Sequence, residues 1–196
     1  MNAILRTRLA RLPLLAAAVL IAGCANPTTR YGDARATETV TNTFGSTDLQ
    51  LIAESMTRSM LQTSVIVSSG LPIVTVQDVR NKTSEYIDTR SITDTIRVEL
   101  QKSGKVRFAV DANAMNQQAE EIKRQQGELY AKEQAAQKGR MVGAQYRMEG
   151  TITSIVKEVK NIKDVYYKFN LQLWNIQNGL LEWTDEKEIR KTTTKG

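Results

Sequence analysis

The chain has 196 residues, 27 Lys and Arg against 21 Asp and Glu, and 41% hydrophobic residues. It contains one cysteine and no histidine, which removes the commonest general base, the Ser-His and Cys-His pairs and most zinc sites together. Composition therefore argues against an enzyme, and no catalytic residue, metal ligand or cofactor is expected.

At the N-terminus Arg6, Arg8 and Arg11 precede an apolar run from Leu12 to Ala22, the layout of a bacterial export signal. About 11 apolar residues are too few for a hydrocarbon core that needs roughly 20, so the segment is expected to be removed. Without those three arginines 24 cations face 21 anions, a balance of +3. No long Lys/Arg block survives, so no nucleic-acid partner is indicated. The quartet Ile21-Ala22-Gly23-Cys24 looks like a lipobox, in which a thiol takes the lipid and small side chains admit the peptidase. Cleavage is expected between Gly23 and Cys24, with Cys24 acylated. Residue 25 is Ala and not Asp, which by analogy with proteobacterial sorting points to the outer membrane, the protein facing the periplasm.

Residues 24–46 lack helical or strand periodicity and carry Pro27, Gly32 and Gly45, so they read as a lipidated tether. Its 22 residues after Cys24 reach about 70–80 Å when extended. The folded domain is expected over 47–190. A first helix starts at Thr47, with Thr47 and Gln50 as a capping box and Leu49, Ile52, Ala53, Met56 and Met60 as its apolar stripe. Ser69-Gly70 and Pro72 then break the chain before an interior strand, Ile73–Val76. A second helix over Thr89–Lys102 presents Ile92, Ile96 and Leu100 and ends before Gly104. Val106, Phe108 and Val110 mark another strand. The polar run 111–139 favours helix, split at Gly127, with a solvated face.

Three strands close the domain. The first carries Tyr146, Met148, Gly150 and Ile152. After a turn around 161–164, the second alternates Val165, Tyr167, Phe169, Leu171 and Leu173 with polar neighbours. Asn178-Gly179 signals a two-residue hairpin into a third strand with Leu181 and Trp183, and 191–196 is expected to fray. The fold class is α+β: a mixed sheet with a C-terminal antiparallel three-strand meander and helices packed mainly on one face.

Ser154-Ile155-Val156-Lys157 spells the S-x-x-K motif of penicillin-binding enzymes. On a strand, however, positions three apart face opposite ways, and no S-D-N or K-T-G companion is present. Asn81-Lys82-Thr83 reads as an Asn-led turn. Tyr166 and Trp174 on the polar face of the second strand, and Arg140 before the first, are the candidate partner-binding residues.

Val79-x-Asn81-Lys82-Thr83, the helix Ile92–Leu100, Ser103-Gly104-Lys105-Val106-x-Phe108, Arg140-x-Val142-Gly143-Ala144-x-Tyr146 and Asn178-Gly179-Leu180-Leu181-Glu182-Trp183 together resemble the LpoB family over about residues 46–190. The resemblance implies a fold like the N-terminal domain of the translocation protein TolB. It also implies a non-catalytic outer-membrane lipoprotein, a monomer, that activates a bifunctional class A penicillin-binding protein, the peptidoglycan synthase. The leader departs from the family's pattern: it is short and holds one proline. A rival reading is an envelope assembly or secretion lipoprotein related to the curli-channel family, whose members form rings.

Overall fold

The computed structural model describes residues 29–38 and 40–195. Residues 29–34, the described part of a small separate unit, hold neither helix nor strand. The second unit begins at Arg35. Its helices are α1 (Ser46–Leu61), α2 (Ser64–Ser68), α3 (Thr89–Lys102) and α4 (Ala112–Gln125). Its strands are β1 (Ile73–Val76), β2 (Arg80–Lys82), β3 (Arg107–Phe108), β4 (Tyr146–Val159), β5 (Ile162–Asn175) and β6 (Leu181–Thr194).

Each helix forms where an apolar stripe meets a cap. In α1 the stripe is Ile52, Ala53, Met56 and Met60, all buried. The cap lies earlier than the expected Thr47–Gln50 pair: the Gly45 N–H donates to Asp48 Oδ2 at 2.9 Å, and a carboxylate in the first turn suits the helix dipole. Helix α3 has the expected bounds, with Asp88 accepting from Ser91 N at 3.1 Å and Ile92, Ile96 and Leu100 buried. Gly104, at φ 69°, takes the left-handed conformation that stops it.

The expected helix beyond Gly127 does not form; 126–145 run through turns and irregular backbone. Helices in proteins are held by packing an amphipathic face, and that segment has no continuous apolar stripe to bury. Strand β3 is also shorter than expected. Its partner β1 has only four residues, and the pairing spans Arg107 N to Pro72 O and Ala109 N to Val74 O.

The sheet order is β3-β1-β4-β5-β6, with β2 pairing β4 farther along. β1 lies parallel to both β3 and β4, and β4, β5 and β6 form the antiparallel meander. The α+β class and the mixed sheet are as expected. Met148, Ile152, Val165, Tyr167, Phe169, Leu171 and Leu173 join the apolar stripes of α1 and α3 in one core. Gly150 opposes Leu171 in the middle of β4; a Cβ there would sit 2.3 Å from the Asn170 carbonyl oxygen, so only glycine fits.

The β5–β6 turn is not the two-residue form. Gly179 N–H donates to Asn175 O at 2.9 Å, and Gly179 has positive φ while Asn178 does not. A two-residue type I′ turn needs positive φ at both central positions, so the chain uses a longer loop closed by one left-handed glycine. The expected fraying from Lys191 also gives way, because β6 stays paired with β5 as far as Ile162↔Thr194.

The chain just before α1 is pinned to the core. The Tyr167 hydroxyl donates to Glu85 and lies 3.0 Å from the Asn42 carbonyl. The other Glu85 oxygen accepts from Phe44 N at 3.3 Å, and the Phe44 ring meets Tyr167 edge-on at 5.8 Å. Burial first, and then the bond to Glu85, raise the Tyr167 hydroxyl well above its ordinary 10.0. A raised pKa means the folded state keeps a proton the unfolded chain loses. This contribution is therefore complete below about pH 10 and is lost as pH climbs above it. Urea midpoints should fall from pH 10 upward, and Tyr167→Phe should make that fall measurably shallower.

Candidate partner-binding face

In an antiparallel pair, directly opposite residues share a face. Tyr166, Lys168, Asn170, Gln172 and Trp174 of β5 therefore lie beside Ile155, Thr153, Thr151, Glu149 and Arg147 of β4. On the other side they meet Arg190, Glu188, Glu186, Thr184 and Leu181 of β6. This face is opposite the core, and its side chains are cross-linked. Lys168 Nζ lies 2.8 Å from Glu186 and 3.9 Å from Glu188, and the bond to Glu186 raises its pKa. The Tyr166 hydroxyl donates to Glu188, which raises its pKa, and the Arg190 guanidinium lies 5.5 Å from the Tyr166 ring centroid. Trp174 Nε1 donates to Gln172 Oε1 at 3.3 Å, and Arg147 bridges to Glu149 at 3.3 Å.

Tyr166 and Trp174 thus share a face but lie eight positions apart, about 27 Å along the strand. They can be two ends of a broad contact, not one pocket. Arg140 is exposed in the irregular stretch before β4, where its Nε donates to Gln137 Oε1 at 3.3 Å. Gly23 and Cys24 lie outside the described residues, as do the signal segment and residues 24–28 of the tether. Ser154 and Lys157 fall opposite Tyr167 and Asp164, on alternate faces, as the strand reading requires. Asn81 leads a turn: its Oδ1 accepts from Thr83 N and its Nδ2 donates to the Glu85 carbonyl, both at 2.9 Å.

Sequence reasoning missed an open groove of about 500 Å³ past the carboxyl ends of β1 and β3. Val76, Met115, Met141, Val142 and Ile176 line it together with Asp78. Its apolar residues come from four separate segments, so no periodicity could reveal them.

The model of the family described as peptidoglycan-synthase activator LpoB matches residues 48–189, more than half of the chain. The chain belongs to the LpoB family. Among solved structures it is similar to the LpoB C-terminal domain from Escherichia coli, at 20% identity and TM-score 0.44, covering 72% of this chain and 98% of that one. The LpoB C-terminal domain from Salmonella enterica matches at 19% identity and TM-score 0.42, with the same coverage. Lipoprotein GNA1162 from Neisseria meningitidis matches at 14% identity and TM-score 0.41, covering 62% of this chain and 83% of that one. No curated protein sequence matches the chain. The LpoB match runs from within α1 to within β6, so all of the open face but Arg190 lies inside it. Among the described residues no helix is long and apolar enough to cross a membrane.

Proposed function

We propose that this LpoB-family chain is a non-catalytic outer-membrane lipoprotein that binds a class A penicillin-binding protein from the periplasmic side and raises its glycan-polymerising rate. The match over residues 48–189 to a family of synthase activators carries this reading. The open face of β4–β6 supports it, offering polar, ion-paired ground with an aromatic residue near each end. Such a surface docks a protein better than it encloses a small substrate.

An activator works only through differential affinity: it must bind the active state of the synthase more tightly than the resting one. A tenfold activation at saturation needs about 1.4 kcal/mol of difference. Acylation of Cys24 with more than one chain gives stable anchoring and raises the local concentration of the domain wherever the tether reaches its partner.

The test is a glycan-polymerisation assay with purified class A synthase and the full chain. Rate should rise saturably with added protein, and Trp174→Ala should shift the half-maximal concentration upward roughly thirtyfold, as for an aromatic anchor of about 2 kcal/mol. Separately, Cys24→Ala should move the protein from the membrane fraction to the soluble one. An unchanged rate at saturating protein would remove the activator reading, whatever the fractionation shows.

A further inference from the structure

The β4–β5 hairpin, with the end of β6 paired to it, extends past β1 and β2. On the side away from β5, β4 is paired by β1 as far as Met148 and by β2 as far as Thr153. Among the described residues, 154–159 pair with β5 alone. Four aliphatic side chains here are exposed: Ile155 at 58%, Val156 at 46%, Val159 at 68% and Ile162 at 49%. The register puts Ile155, Val159 and Ile162 on one face, with the Tyr166 ring opposite Ile155. Elsewhere on this face the side chains are mostly polar and paired, so the apolar tip is a distinct feature.

Basic residues surround it. Lys157, Lys160 and Lys163 lie on the hairpin, with Arg190 and Lys195 on the adjoining end of β6 and beyond it. Lys195 N–H donates to Asn161 O at 2.7 Å, which holds that end against the turn. The carboxylates here are Glu158, 3.7 Å from Lys195, and Asp164, 3.9 Å from Arg190. Five cations against two anions leave +3 around a projecting aliphatic patch. Aliphatic groups that can enter the headgroup boundary, ringed by lysines whose stems let the charge stay in water, form the pattern that binds anionic lipid.

We infer that this hairpin tip docks on an anionic phospholipid surface. The proposed acylation of Cys24 is used only for proximity. Seventeen residues separate Cys24 from Asn42, whose carbonyl lies against Tyr167. That length spans at most about 60 Å, while a 14-residue strand is about 45 Å long. A domain tethered so closely meets its own leaflet readily. Docking the tip there would set the sheet at a fixed attitude to the membrane, with the Asn178-Gly179 end of β5–β6 pointing away from it.

The test needs no lipid anchor. In the full chain with Cys24→Ala, a single thiol is introduced at the tip by Asn161→Cys, or at the far end of β5 by Asn178→Cys, and labelled with a polarity-sensitive fluorophore. Vesicles of phosphatidylethanolamine with a quarter phosphatidylglycerol should blue-shift the tip probe, and brominated acyl chains should quench it. The far-end probe should stay silent. Replacing Lys157, Lys160 and Lys163 together with Gln should lower the partition coefficient on the order of a hundredfold. Ile155→Ser with Val159→Ser should abolish quenching; both residues lie outside the core, so the fold is kept, as circular dichroism would verify. Equal response of the two probes, or a tip response indifferent to phosphatidylglycerol content, would overturn the proposal. So would a tip silent on every vesicle but shielded by envelope proteins, which would assign the patch to a protein partner. Because Cys24 is absent throughout, failure here leaves the anchoring and activator readings standing.

Discussion

Asp48→Ala should destabilise the domain by about 3–5 kcal/mol, the cost of breaking a buried ion pair. Asp48 is 3% exposed, and its carboxylate receives both the Lys191 ammonium and the Gly45 N–H. Lys191 also donates to the Thr43 carbonyl at 2.7 Å. One side chain from the last strand therefore joins the start of α1 to the segment that leads into it. Removing the carboxylate leaves the ammonium poorly compensated, with its side chain only 11% exposed, and frees an orphan donor at the helix start. Urea unfolding should show a lower midpoint at unchanged slope. The double variant Asp48→Leu with Lys191→Met should recover most of the loss, since an apolar pair can replace a buried ionic one. A single-variant loss below 1 kcal/mol would show that the pair is held open to water.

That contact also explains the most instructive error of sequence reading. β6 turns Trp183, Asp185, Lys187, Ile189 and Lys191 toward the helices and Glu182, Thr184, Glu186, Glu188 and Arg190 away. Only two of the five inward positions are apolar, so the period-two signal that revealed β5 is nearly absent. Inward polar groups are instead met individually: Lys191 by Asp48, and the Trp183 indole N–H by Ser59 Oγ of α1 at 3.2 Å. Such pairings come from distant parts of the chain and cannot be read locally. The charged residues that hid the far end of the strand also protect it, since β6 is a long sheet edge and charge discourages edge-to-edge association.

Elements whose burial is one-sided and apolar were legible, namely α1, α3, β1 and β5. Three-residue β2, fixed by its neighbour β4, was not, and β3 was legible as a strand but not in its two-residue length, which its short partner β1 sets. The candidate site followed the same division. Alternation along β5 put Tyr166 and Trp174 on one face, but the lattice joining Tyr166, Lys168, Glu186, Glu188 and Arg190 needs the β5–β6 register, which a local pattern does not contain. The hairpin tip was hidden for a similar reason. Ile155, Val159 and Ile162 look like core residues in sequence, but the register sets them on the face away from the helices, beyond the end of β2.

Phe169→Ala tests this two-sided description of the sheet at single-residue resolution. Phe169 is fully buried, opposite Ile152 on the helix-covered face. Truncating it should cost about 3–5 kcal/mol, the transfer term plus that of a cavity the rigid sheet cannot close. This is a large share of the roughly 5–15 kcal/mol that holds a domain together. Its neighbour Lys168 points the other way and makes two ion pairs, at 2.8 and 3.9 Å, with partially exposed partners. Exposed pairs contribute little because water and side-chain entropy offset the attraction, so Lys168→Ala should stay within about 1 kcal/mol. Phe169→Leu should fall between them, since most of the volume is retained. Urea denaturation of the three variants measures the contrast. Equal losses at 168 and 169 would mean that both faces of the sheet are packed, and the open face would then be closed to any partner.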